Sequence, residues 1–117
     1  FAAQGFQVVK TRDEVLAATG KKILGVFGDS HLPFTVDQQN SEQITREVPT
    51  LAEMTRVALR SLQGSPNGFL LQIEGGKVDH AAHANDLAGM FYDQIAFEEA
   101  EPLPRLWERF PPQGSAC

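Results

Sequence analysis

With 117 residues, 42% of them hydrophobic and 21% charged, the chain is long enough for one domain with a core and too apolar to be a disordered acidic tail. A formal net charge of -5 leaves no basic face to neutralise phosphates, so nucleic acid and anionic membranes are not expected partners and small molecules fit better. No apolar run reaches the length of a bilayer crossing, and the single cysteine, Cys117, cannot form an internal disulfide.

The chain opens on Phe1 with neither a methionine nor a signal-peptide pattern, and is therefore expected to be a partial or excised product. Residues 5–9 read as a short β-run. Thr11-Arg-Asp-Glu14 then has the form of a helix start leading into Val15, Leu16 and Ala17, with Gly20 as its expected end. Residues 22–27, Lys-Ile-Leu-Gly-Val-Phe, are an apolar run that suits a strand buried on both faces, as parallel strands are. Gly28-Asp-Ser-His-Leu-Pro33 reads as a loop, and residues 37–48, polar and without periodicity, as an exposed connection.

The best-signalled element follows Pro49. Thr50-Leu-Ala-Glu53 is a capping box, and Leu51, Met54, Ala58 and Leu62 recur at helical spacing to form one apolar face. Gly64-Ser-Pro-Asn-Gly68 turns the chain into residues 69–73, a second buried-strand candidate. A long helix is expected over residues 81–100, with Leu87, Met90, Phe91, Gln94 and Phe97 near one face. Strands alternating with helices imply an α/β fold with a sheet that is parallel at least in part.

The run Leu71-Gln-Ile-Glu-Gly-Gly-Lys-Val-Asp-His-Ala-Ala-His83 carries the chemistry. Ligands gather at the carboxyl ends of strands in open sheets, and Glu74 stands one residue past the second apolar run. Gly75 and Gly76 permit a tight, closely approaching turn. Asp79 and His83, four apart, share a face if this segment has begun to coil, and an oxygen and an imidazole nitrogen are a normal pair of zinc ligands. Glu74, an oxygen-only donor, better suits magnesium. The same residues also read as a solvated helix start: an Asp–His pair on the surface, a capping Glu74, an exposed His80 and a surface Lys77. Both readings stay open on the residues alone.

At Glu74-Gly-Gly-Lys-Val-Asp-His80, followed by His83, the chain resembles the alkaline phosphatase family, whose strand ends in Glu-Gly-Gly-Arg-Ile-Asp-His with a histidine four residues after the Asp. Leu51-Ala-Glu-Met54, Asn67-Gly-Phe69 and Ile23-Leu-Gly-Val-Phe27 before Leu32-Pro-Phe34 follow the family's order of segments, so that the likeness covers most of residues 5–100. The resemblance implies part of an alkaline-phosphatase-like three-layer sandwich, a largely parallel sheet with flanking helices. It implies Glu74 as a magnesium ligand, Asp79 and His83 as two ligands of one zinc, and His80 near the phosphate or the magnesium. Its chemistry is hydrolysis of phosphate monoesters through a phosphoserine with zinc and magnesium, in a periplasmic or extracellular parent that the family allows to be a homodimer.

The family's serine nucleophile, phosphate-binding arginine and remaining zinc ligands have no match here, so the chain is expected to be inactive alone. Asp29-Ser30 imitates a nucleophile motif, but His31-Leu-Pro follows where the family has a small residue. His31 is read as a loop residue, and Arg46, Arg56 and Arg60 as surface charges. Residues 1–100 form the family-like segment, and 101–117 a divergent tail in which Glu101-Pro-Leu-Pro104 breaks the helix and Pro111-Pro112 excludes a central strand. The alternatives are another metal-dependent phosphohydrolase of related architecture and a non-catalytic α/β module with a structural Glu/Asp/His cluster.

Overall fold

Alternation of small apolar segments and capped helices produces a helix-rich α/β unit. The computed structural model describes residues 1–100; the tail expected at 101–117 lies outside the described residues. After a single 3₁₀ turn at Ala2–Gln4, β1 (Gln7–Val9) runs parallel to β2 (Ile23–Gly25), with Gln7 opposite Ile23 and Val9 opposite Gly25. The crossover between them carries α1 (Arg12–Leu16), which starts after Thr11 as expected and does so on a capping box: Thr11 accepts from the Glu14 N–H, and the Glu14 carboxylate accepts from the Thr11 N–H.

The second capping box also forms as expected. At the head of α4 (Leu51–Leu62), the Thr50 hydroxyl accepts from the Glu53 N–H at 3.2 Å and the Thr50 N–H donates to Glu53 Oε2 at 3.0 Å. The expected apolar face of Leu51, Met54, Ala58 and Leu62 is only half-buried, whereas Thr55, Val57 and Leu59 are fully buried. The helix packs against both α1 and α6 (Leu87–Ala100), so more than one face is covered. Val57 joins Val9, Val15 and Ala18 in the core, against which Ile23 and Phe27 pack. Each buried valine contributes about 1.5–3 kcal/mol, which makes this a small core for the chain.

Four expectations are corrected. Gly20 does not end α1, which stops at Leu16 with Ala17 as its cap; beyond it, Arg60 of α4 donates to the carbonyls of Leu16 and Ala18 at 3.1 Å each. Arg60 is thus a bridge between helices rather than a free surface charge. Residues 37–48 are not an irregular connection but fall in two short helices, α2 (Thr35–Gln39) and α3 (Glu42–Glu47). Each is too short to show periodicity; instead, Ser41 accepts from the Ile44 N–H, and the Gln38 side chain donates to the Val48 carbonyl.

The apolar runs are the third correction. Residues 22–27 keep only three residues in β2, and Val26 is half exposed, so the run is not the strand buried on both faces that its composition suggests. Residues 69–73 form no strand, and Leu70 is 95% exposed. Among the described residues no further strand pairs with this segment, and ladder hydrogen bonds need a neighbour.

The helix expected over 81–100 is the fourth. It is two helices, α5 (Gly76–His83) and α6, separated at Asn85, whose φ of 55° is left-handed. Asp86 Oδ1 accepts from the Gly89 N–H at 2.9 Å and so restarts the helix. On α6 the buried positions are Gly89, Asp93 and Ala100, whereas Leu87 and Phe91 of the expected apolar face are exposed.

Candidate active site

The chemistry-bearing residues lie along the segment where residues 69–75 lead into α5 and beside the loop that follows β2. Glu74 lies two residues before α5, exposed, at the wall of a cavity of about 530 Å³ that His31, Thr35, Lys77, His80 and Asp93 also line. Gly75, the helix cap, stands directly against Phe97 of α6. A Cβ there would meet Phe97 Cδ2 at 2.9 Å and its Cβ at 3.1 Å, so the close approach expected of the paired glycines is a contact between α5 and α6.

Helix α5 presents two sets of polar residues. Lys77 and His80, three apart, face the cavity and are half-buried. Asp79 and His83, four apart, share another face: His83 Nε2 lies 3.5 Å from Asp79 Oδ1, and their side chains are 82% and 72% exposed. At about 100° per residue, the second face lies roughly a third of a turn from the first. The predicted juxtaposition of Asp79 and His83 therefore forms, and Glu74 and His80 are brought together at the cavity, but the two sets do not merge. Neither Asp79 nor His83 lines the cavity, and among the described residues no three His, Cys, Asp or Glu side chains converge on one point.

This donor set fits zinc as a half-site. An oxygen and a nitrogen on one exposed helix face match zinc's preferences, but a tetrahedral ion needs four donors. Glu74 offers a single carboxylate, in keeping with an ion that retains several waters.

Three features of the site escaped sequence reasoning. Asp93, 8% exposed, accepts from the Thr35 hydroxyl at 2.8 Å and from the Thr35 N–H at 3.3 Å to each oxygen. Its signal was a carboxylate amid the apolar residues of the second long helix, which burial without a partner would make costly. His31 stacks edge-to-face on His80 with ring centroids 4.2 Å apart, and Lys77 Nζ sits 3.7 Å from the Phe34 ring centroid. Neither contact has a sequence signal, since each joins segments more than forty residues apart. Asp93→Ala is expected to destabilise the chain by about 1.5–3 kcal/mol, the range for losing hydrogen bonds to a charged group, with Asp93→Asn milder. Urea unfolding of the chain measures both.

Fold and site together define an α/β protein whose polar residues gather where an extended segment turns into a helix beside a parallel sheet. The alkaline phosphatase family profile matches residues 1–103. Alkaline phosphatase 3 of Bacillus subtilis is 33% identical over 100 residues, covering 86% of this chain and 20% of that protein. The repressible alkaline phosphatase of Saccharomyces cerevisiae is 35% identical over 111 residues, covering 84% and 19%. Among solved structures, Thermus thermophilus alkaline phosphatase superposes with a TM-score of 0.85 at 38% identity, over 95% of this chain and 23% of that one. The chain belongs to the alkaline phosphatase family. It spans about a fifth of the length of these relatives.

Proposed function

We propose that this chain is a segment of a metal-dependent alkaline phosphatase that hydrolyses phosphate monoesters through a phosphoserine, and that it contributes only part of the active site. The observation that carries this reading is the geometry of α5. Asp79 and His83 stand together, bare to solvent, where donors from another part of a longer protein can reach them. Among the described residues, no helix is long and apolar enough to cross a membrane.

In this reading Asp79 and His83 would hold one zinc with donors supplied from outside residues 1–100, and Glu74 would hold magnesium. Bound there, the zinc, together with a second zinc held elsewhere in the longer protein, would stabilise the attacking and leaving oxygens of an in-line displacement, and the magnesium would support the site. The chain's own residues orient these donors. α5 fixes the spacing of Asp79 and His83, the close contact of Gly75 with Phe97 fixes where α5 begins, and His80 lies on the cavity side, near the phosphate. In this reading Ser30 is not the nucleophile. By its family resemblance the parent is a periplasmic or extracellular protein, and the family allows it to be a homodimer.

Two proteins test the reading. The full-length protein is expected to hold zinc and magnesium and to hydrolyse p-nitrophenyl phosphate, and to keep doing so as Ser30→Ala. The 117-residue chain alone is expected to show no turnover and weak zinc binding. A full-length protein with neither metal nor turnover would instead support a structural role for the Glu/Asp/His cluster.

A further inference from the structure

The loop after β2 is strapped to α5 and α6 by three successive contacts. His31 lies edge-to-face on His80, with ring planes at 77°. Three residues on, Phe34 carries Lys77 Nζ on its ring, and the next residue, Thr35, is held by the buried carboxylate of Asp93. Lys77 and His80 are themselves three apart on α5, so the strap meets the helix in a single register. Asp93 fixes that register from α6, which packs closely on α5.

We propose that His31 is a positioning residue for His80: its ring fixes the orientation of an imidazole that the phosphatase reading puts near the phosphate. The proposal rests on the phosphatase reading, which puts His80 beside the phosphate. His80 is half-buried at the wall of a cavity of about 530 Å³, so there is space for its ring to leave a single rotamer. The aromatic contact from His31 selects one orientation. His31 is exposed and sits in a loop, and its ring adds little to the core, so the contact orients the site rather than stabilising the fold.

Two measurements separate this role from a structural one. In carbon–proton correlation spectra of the 117-residue chain, the His80 ring protons shift in His31→Ala and return towards their native positions in His31→Phe, which keeps an aromatic ring. In the zinc-loaded full-length protein, His31→Ala raises KM for p-nitrophenyl phosphate and the inhibition constant of inorganic phosphate about two- to tenfold, the range an aromatic pair contributes. In the same variant kcat falls less, and His31→Phe restores both constants. His80 protons that stay in place in His31→Ala overturn the proposal, and so do unchanged KM and phosphate inhibition. A wild-type protein that binds zinc but does not hydrolyse the ester overturns the phosphatase reading itself, a failure visible before any His31 variant is made.

Discussion

Asp79→Ala in the full-length protein is expected to lower zinc content and to reduce p-nitrophenyl phosphate turnover by more than about a hundredfold. Loss of an outer-shell partner of a metal ligand already lowers affinity or activity roughly ten- to hundredfold, and loss of a ligand itself exceeds that. Unfolding is not an alternative explanation for such a loss. The Asp79 and His83 side chains are 72% and 82% exposed, and an exposed helix pair at 3.5 Å is worth about 0.3–0.5 kcal/mol at most. His83→Ala should behave alike, and the double variant should be little worse than either single one, because two ligands of one ion act as a unit. Metal content measured beside turnover, with circular dichroism on each variant, checks all three. Turnover within a few-fold of wild type in Asp79→Ala would remove Asp79 from the site.

The largest effect on stability is expected at Glu53. Its carboxylate accepts from Arg12 Nε at 3.0 and 3.1 Å and from Nη2, and from the Thr50 N–H that caps α4. One side chain thus joins the start of α1 to the start of α4 and closes the capping box. Removing a cap costs about 0.5–2 kcal/mol. Exposed ion pairs contribute about 0–1 kcal/mol and breaking a buried one costs about 3–5, and this pair lies between, with 33% of Arg12 and 12% of Glu53 exposed. Glu53→Ala is therefore expected to destabilise the chain by roughly 2–4 kcal/mol, measured by urea unfolding.

The same contacts predict a pH dependence. Hydrogen bonds from Arg12 hold the Glu53 carboxyl below its ordinary value of 4.5, with the Thr50 N–H acting in the same direction and partial burial opposing. A carboxyl whose pKa is lower folded than unfolded contributes stability that is fully present above 4.5 and is lost as pH falls through the folded value. Wild type should lose stability below pH 4.5 more steeply than Glu53→Gln, which has no such group to protonate. Parallel slopes for the two proteins would contradict the assignment.

What was legible in the sequence is what local chemistry writes. Thr11 with Glu14 and Thr50 with Glu53 declared two helix starts because a capping box is complete within four residues. Asp79 and His83 declared a shared face because helical spacing alone places them there. Long-range partners left no such mark. Residues 69–73 have the composition of a strand, yet a strand is a property of two segments, and among the described residues this one has no neighbour. The single helix expected over 81–100 hid a break because Asn85 can take a left-handed φ and Asp86 can restart the helix, and neither interrupts the apolar pattern. Phe91, expected near the apolar face, is exposed, while Asp93, which carried no expectation, is buried with Thr35 as its partner. Half of the candidate site was equally hidden, since His31 meets His80 only through the fold.

The most direct test of the central assignment is anomalous X-ray scattering at the zinc edge from crystals of the full-length protein. A zinc peak is expected about 2.0–2.2 Å from a carboxylate oxygen of Asp79 and a ring nitrogen of His83, with the remaining donors coming from outside residues 1–100. Zinc bound elsewhere, with Asp79 and His83 still paired only to each other, would contradict it.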